Sequence, residues 1–181
     1  IRMGDLDPSS LTWASLGLAI LSFYFLSQAT GDSTGSFWIV GGVLLILVAG
    51  VLDALDGALA RHQGTDGPYG DFLDHTIDRL VDVGLLVAIG MNTSFVDDPS
   101  TGLVAGLLTL FGSYMGTQAQ SVGLDRIYGG FSRADRMVLT IVGLLTAAWQ
   151  AYSGTPGISM NSMHWVIGIM NLGNLSLIHI S

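Results

Sequence analysis

Six stretches of mainly apolar residues, each roughly as long as a membrane is thick, alternate with short polar breaks along this chain. The first runs from Leu11 to about Gln28 without a charge. The second starts near Ser36, stays uncharged through Leu52, and continues through Asp53 to about Arg61. The third spans roughly Phe72 to Met91, with its charges confined to its first half. The fourth covers about Thr101 to Val122, the fifth about Ala134 to Tyr152, and the sixth starts near Asn161. A helix needs about 20 mainly apolar residues to cross hydrocarbon. The pattern therefore predicts an all-α, polytopic membrane protein: six transmembrane helices behind a short cytoplasmic N-terminal segment. A soluble helical bundle does not account for repeated uncharged runs of this length. The segment Asp66-Gly67-Pro68-Tyr69-Gly70 reads as a turn. The 25 glycines suit close helix packing in lipid.

Composition agrees. Half of the 181 residues are hydrophobic and 11% are charged, against about 25% charged in a typical soluble domain. One compact unit is expected, covering residues 1–174. The last seven residues, Leu175 to Ser181, look like a translated transposon end and are expected to be a non-native tail. The chain starts with Ile1 rather than Met, as a fragment does, and shows no cleavable signal peptide. There is no cysteine, which excludes disulfides and thiolate metal sites. All 14 acids are Asp, all six strong bases are Arg, and the net charge is −8. A salt-loving source and GC-rich codon bias explain that inventory equally well. Sorting the arginines refines the topology. Arg2 precedes the first segment, Arg61 and Arg79 flank the second connection, and Arg126, Arg133 and Arg136 lie between the fourth and fifth segments or at the start of the fifth. The opposite loops, around Asp32, around Asp97 and Asp98, and from Gly154 to Gly157, hold no Arg. The positive-inside rule puts both termini and all six arginines in the cytoplasm.

The candidate chemistry lies at the cytoplasmic junction of the second and third segments. Asp53 and Asp56 are spaced i,i+3, and Asp74 and Asp78 i,i+4, so each pair shares a helix face. Two helices joined by a short turn can bring the faces together. Ionised residues in membrane segments are costly and mark functional sites. Four carboxylates repel one another unless hard divalent cations join them, and Mg²⁺ or Mn²⁺ suits oxygen ligands. Two such ions can bridge phosphate oxygens. Gly57 and Gly70 leave room for a phosphate ligand, and Arg61 offers it a planar fork.

The spacing Asp-x2-Asp-Gly-x2-Ala-Arg-x8-Gly-x3-Asp-x3-Asp, formed by Asp53, Asp56, Gly57, Ala60, Arg61, Gly70, Asp74 and Asp78, resembles the signature of the CDP-alcohol phosphatidyltransferase family at every defined position. The resemblance implies a reaction. An acceptor alcohol attacks the phosphate next to the lipid of a CDP-lipid, and CMP leaves. It also implies roles. Asp53, Asp56 and Asp74 are metal ligands. Asp78 touches the second metal and acts as the general base. Gly57, Ala60 and Arg61 hold the CDP moiety, with Gly67 and Gly70 nearby. Pro8-Ser9-Ser10-Leu11-Thr12 is similar to the family's Pro-Asn-x-x-Thr opening of its first helix, with Ser9 in the Asn position. Ser9 and Thr12 thereby join the CDP-lipid site, although plain helix capping explains the same residues. Asp82 and Arg79 fit an extended Asp-Arg-x-x-Asp pattern and are expected to support the ligands rather than bind the metal.

The acceptor rests on Phe131-Ser132-Arg133-Ala134-Asp135-Arg136-Met137. This stretch resembles the Arg-Ala-Glu-Arg element of the branch that makes inositol-phosphate lipids in archaea and actinobacteria. Arg133 and Arg136 lie one turn apart and are expected to grip the acceptor's phosphate; service as orientation anchors is the other reading. The end of the fourth segment, from Ser113 to Gln120, lacks the basic residue that branch often carries. Inositol phosphate is the expected acceptor, with glycerol phosphate next, serine as an unphosphorylated alternative, and either an ester- or an ether-linked lipid. Membership of the family also implies a homodimer. A cation-coupled transporter is the reading from another class, but it calls for polar breaks at the midplane of several helices. His62 and His75 flank the site without an assigned role. His164 lies far from it, and His179 lies in the tail. Trp13, Trp38, Trp149 and Trp165 sit near segment ends, where interfacial anchoring is expected.

Overall fold

The computed structural model describes residues 7–124, 132–154 and 162–180. Among these it contains six helices and no strand: α1 Pro8–Ser27, α2 Ser33–Gln63, α3 Pro68–Met91, α4 Pro99–Ser121, α5 Arg133–Ser153 and α6 Ser162–Ile180. Arg2, Arg126 and Phe131 fall outside the described residues, as do the His179 side chain and most of the Gly154–Gly157 loop. The all-α expectation holds, and each predicted segment lies on one helix. Two helices, α1 and α2, are long and apolar enough to cross a membrane.

Local chemistry sets the helix ends. The triplet Asp-Pro-Ser opens both α1 and α4. Asp7 and Asp98 cap the helices by accepting from the backbone N–H of Ser9 and Ser100, and Pro8 and Pro99 occupy the first turn, where a missing N–H costs nothing. The cap of α1 is therefore Asp7; Ser9 and Thr12 lie inside the helix, and Thr12 hydrogen-bonds back to the Pro8 carbonyl. Asp32 caps α2, and the Thr30 hydroxyl at 2.6 Å with the Gly35 N–H at 2.8 Å holds its carboxyl below the usual range. The same holds for Asp98 through Ser100. A depressed carboxyl stabilises the fold above its unfolded pKa, and that support fades as pH falls through the lower folded value. Ser132 and Asp135 form a reciprocal capping box at α5. Gly64 and Gly154 end α2 and α5 with φ of 65° and 59°, a left-handed conformation natural to glycine. The expected turn at residues 66–70 is shorter than predicted. Gly67 caps α3 and Pro68, Tyr69 and Gly70 already belong to it, because proline's fixed φ favours a helix's first position.

Small residues let the helices approach one another. On α1, Leu26 lies over Gly42 of α2, and the Ser22 hydroxyl donates to the Gly42 carbonyl at 2.8 Å. Phe23 lies over Gly84 of α3. A Cβ on Gly90 of α3 would fall 2.6 Å from the Gly102 Cα of α4, and one on Gly143 of α5 would meet Val166 and Met163 of α6. Polar fasteners add to these crossings. The Asn92 amide donates to the carbonyls of Leu26 and Ala29 at 2.8 and 2.9 Å, pinning the end of α1 to the α3–α4 loop. Asn174 of α6 donates to Thr109 of α4 at 2.8 Å, with both residues buried. Trp38 differs from the other tryptophans: it packs edge-on to Phe25 at 5.0 Å, against the core. Trp13, Trp149 and Trp165 are exposed.

The Gly90–Gly102 crossing yields a direct test. Gly102→Ala should force α3 and α4 apart and destabilise the protein by about 1–3 kcal/mol. Gly116→Ala, with nothing within 4 Å of the added Cβ, should leave the thermal midpoint unchanged or slightly raised. Unfolding of the two purified variants checks the contrast.

Candidate active site

The second half of α2 carries Asp53 and Asp56; the first half of α3 carries Asp74 and Asp78, and Asp82 lies one turn further on. The connection between them is short: Thr65 N–H returns to the Ala60 carbonyl at 3.0 Å, and Gly67 then starts α3. Helix α1 packs against both α2 and α3, and Asp53 of α2 and Asp78 of α3 line one cleft. Asp56, Asp78 and Asp82 are buried, while Asp53 and Asp74 are partly exposed. Asp53 is coupled electrostatically to Asp74, Asp56 and Asp82, and Asp78 to Asp53 and Asp74. The four expected carboxylates do converge.

Helix α1 completes one wall. Buried Thr12 reaches the Asp56 carboxyl with its side chain. Ser15, one turn on, lines a small open cleft with Asp53, Asp78, Gly50 and Arg133. Asp56 Oδ2 is buried with no hydrogen-bond partner. Atoms from Asp74, His75 and Asp78 come within 4.8 Å of one another. An orphaned buried carboxylate oxygen beside other carboxylates fits a hard divalent cation, and no soft ligand competes for the place. His75 also pairs with Asp71 at 3.5 Å on the exposed side of α3.

Positive charge arrives from α5. Each nitrogen of Arg133 faces a different carboxylate: Nη2 is 2.6 Å from Asp78 Oδ1, Nε is 3.2 Å from Asp82 Oδ1, and Nη1 is 3.9 Å from Asp53 Oδ2. Arg136, one turn on and buried, lies 3.5 Å from Asp82 Oδ2. Arg79 stands 3.6 Å from Asp82 and 3.8 Å from Asp78, and donates to the Ser113 hydroxyl of α4. Asp82 is thereby the hub of three arginines drawn from two helices. Sequence spacing places Arg133 and Arg136 on one face but does not indicate their carboxylate partners, which lie more than fifty positions earlier.

The remaining expected residues do not line this cleft. The Arg61 guanidinium lies beside Gly57, 3.4 Å from where a Cβ would stand. Arg61, Gly67 and Gly70 are exposed, Ala60 is partly buried, and a Cβ on Gly67 or Gly70 would meet open space. Ser9, at the start of α1, bonds to Asp7 at 2.7 Å rather than to the carboxylate cluster.

The chain is similar to known proteins in sequence and in fold. A sequence model described as CDP-alcohol phosphatidyltransferase matches residues 6–172. Archaetidylinositol phosphate synthase of Methanothermobacter thermautotrophicus is 36% identical over 123 residues, covering 66% of this chain and 59% of that protein. The match thus spans well under two thirds of that relative's length. The enzyme of the same name from Pyrococcus horikoshii is 35% identical over 77% of this chain and 76% of its own. Crystal structures of the phosphatidylinositol phosphate synthase of Mycobacterium tuberculosis share the fold. With CDP-DAG bound, it superposes at a TM-score of 0.77 and 19% identity, covering 97% of this chain and 84% of that one. In complex with manganese and citrate, the TM-score is 0.76 at 20% identity, with 96% and 80% covered.

The hub role of Asp82 predicts a large effect from a small change. Asp82→Asn leaves three guanidinium groups around a neutral amide and should cost roughly 3 kcal/mol, as for breaking a buried ion pair. Thermal unfolding of this variant against Asp66→Asn, a substitution in the exposed turn, checks the difference.

Proposed function

This chain belongs to the CDP-alcohol phosphatidyltransferase family, and on that premise we propose that it transfers a phosphatidyl-type group from a CDP-lipid to a small polar alcohol, releasing CMP. The carrying observation is that Asp53 and Asp78, from two helices, line one cleft, with Asp56 and Asp74 within electrostatic range of Asp53. Inositol phosphate is the preferred acceptor, ahead of glycerol phosphate and serine, and the names of the archaeal relatives support that order. A transporter is disfavoured because the carboxylates gather at one end of the bundle.

Asp53, Asp56 and Asp74 are the proposed ligands of two divalent cations, with Asp78 sharing the second, over a single domain of residues 1–174. Bound Mg²⁺ or Mn²⁺ supplies charge neutralisation at the phosphate oxygens; the manganese complex of the mycobacterial relative supports the choice. The chain's own residues do the rest. Asp78 takes the proton of the acceptor hydroxyl as that oxygen attacks the lipid-side phosphate. Proton removal requires hydrogen-bond reach, and Asp78 lines the cleft where the acceptor oxygen has to sit. Gly57, Ala60 and Arg61 hold the CDP moiety, with Ser9, Thr12, Gly67 and Gly70 around it. Arg133 and Arg136 receive the acceptor's phosphate.

The membrane reading extends to six spans. Apolar residues are exposed at helical spacing on Leu44, Leu47, Val48 and Val51 of α2, on Leu103, Leu107 and Leu110 of α4, and on Val138, Val142 and Leu145 of α5. Such stripes suit lipid. Asp53 lies about 30 Å along α2 from Ser33 at 1.5 Å per residue, the thickness of a hydrocarbon core. The carboxylates therefore sit at the boundary. The distribution of Arg61, Arg79, Arg133 and Arg136 supports a cytoplasmic active site, both termini cytoplasmic, and the family relationship supports a homodimer.

The test is CMP release from a labelled CDP-lipid with Mn²⁺ or Mg²⁺ and a panel of acceptors. Asp78→Asn should lower the rate by about 10²–10⁴-fold while the protein stays folded. A variant with unchanged release would remove Asp78 from the base role. Release that depends on no member of the panel would overturn the transferase assignment.

A further inference from the structure

Arg133 occupies an unusual position for a residue expected to receive a substrate. Its side chain is about one third exposed and borders the cleft, yet all three of its nitrogens face carboxylates. The three pairings are not equivalent. Asp82 keeps Arg79 and Arg136 as partners without Arg133. Asp78 would keep only Arg79, at 3.8 Å on its other oxygen. Asp53 has no second arginine partner among the described residues. Removal of Arg133 therefore leaves Asp82 neutralised but uncovers Asp53 and one oxygen of Asp78. The Asp78 contact is a close ion pair at 2.6 Å without hydrogen-bond alignment, so an anion displaces it only by offering the guanidinium a bidentate pairing.

We propose that Arg133 is an acceptor-operated latch: it covers Asp53 and Asp78 until a phosphate-bearing acceptor draws it away, which opens those carboxylates to a divalent cation. The latch rests on the transferase reading above. A guanidinium and a divalent cation cannot share the same two carboxylates without strong like-charge repulsion. A phosphate offers Arg133 a bidentate partner, and Arg136, held by Asp82 one turn away, fixes where that phosphate binds. The arrangement keeps the carboxylate set incomplete while only water is available as an acceptor, so a bound CDP-lipid is protected from hydrolysis. Coupling of this kind is reciprocal: whatever phosphate does for the cation, the cation does for phosphate.

The experiment measures Mn²⁺ binding to the purified full chain by electron paramagnetic resonance, with and without inorganic phosphate and with no lipid present. In the native chain, phosphate should tighten Mn²⁺ binding by about fivefold or more. Arg133→Gln should bind Mn²⁺ tighter than the native chain by a similar factor and lose the phosphate response, while Arg133→Lys should stay close to native in the absence of phosphate. Equal or weaker Mn²⁺ binding in Arg133→Gln overturns the latch and leaves Arg133 a plain counter-ion between α5 and α3. A phosphate response that persists in Arg133→Gln also overturns it, because phosphate then acts on the metal directly. If Arg133→Gln does not fold, the native titration decides alone, and a phosphate-independent affinity overturns the latch. Absence of Mn²⁺ binding to either chain removes the metal reading and the latch together, whereas binding that ignores Arg133 removes only the latch.

Discussion

Carboxylates gathered at one end of an apolar bundle repel one another, at about 4 kcal/mol for a pair 4 Å apart near a protein surface. The placement of the other helices around the site follows from that repulsion. Asp53 and Asp56 on α2 and Asp74, Asp78 and Asp82 on α3 require positive charge that neither helix supplies in full. Arg79 sits on α3 itself, and α5 delivers Arg133 and Arg136 at its first turn. The capping box of Ser132 and Asp135 fixes where that turn begins. Asp82 then converts three separate arginines into one unit, so the orientation of the charge that faces the cleft depends on a carboxylate just beyond it.

Tight packing and open packing are divided along the bundle. The close glycine crossings, Leu26 on Gly42, Phe23 on Gly84 and Gly90 on Gly102, lie toward the end where α1 stops and the α3–α4 loop is pinned by Asn92. Around the carboxylates the glycines are different. Gly50 and Gly70, like Gly112 and Gly116 on the later part of α4, have no atom within 4 Å of an added Cβ. The glycine content thus allows close approach between helices in one region and leaves open space beside the helices in the other.

Much of this was legible in the sequence, because uncharged runs and i,i+3 or i,i+4 carboxylate pairs are local signals that survive into the fold. The six helices fall where the apolar runs lie, and the four aspartates meet as their spacing implies. The misses are of another kind. Pro68 marked a turn from composition, but its ring suits the first position of α3. Helix capping, the alternative to a place for Ser9 and Thr12 in the CDP-lipid site, falls instead to Asp7, one position before the proline. Trp38 near a segment end read as an interfacial anchor, yet it packs against Phe25. The pairing of Arg133 with Asp53, Asp78 and Asp82 had no local signal at all, since it arises only when α5 packs against α2 and its arginine side chains reach across to α3.

That pairing also bears on the acceptor, the least determined part of the chemistry. The α4 wall carries Ser113 and Thr117 rather than a base, and Arg79 already uses Ser113 as a hydrogen-bond partner. Among the described residues, the arginines that border the carboxylates of the cleft are those around Asp82. Of three positive charges there, Asp82 neutralises one, and Asp53 and Asp78 engage what remains through Arg133 and Arg79. An unphosphorylated alcohol such as serine gives Arg133 little reason to leave those carboxylates. A phosphate dianion matches the guanidinium fork and carries enough charge to compete. Within the proposed reaction, the guanidinium forks of Arg133 and Arg136, one helical turn apart, suit a phosphorylated polyol better than a neutral alcohol.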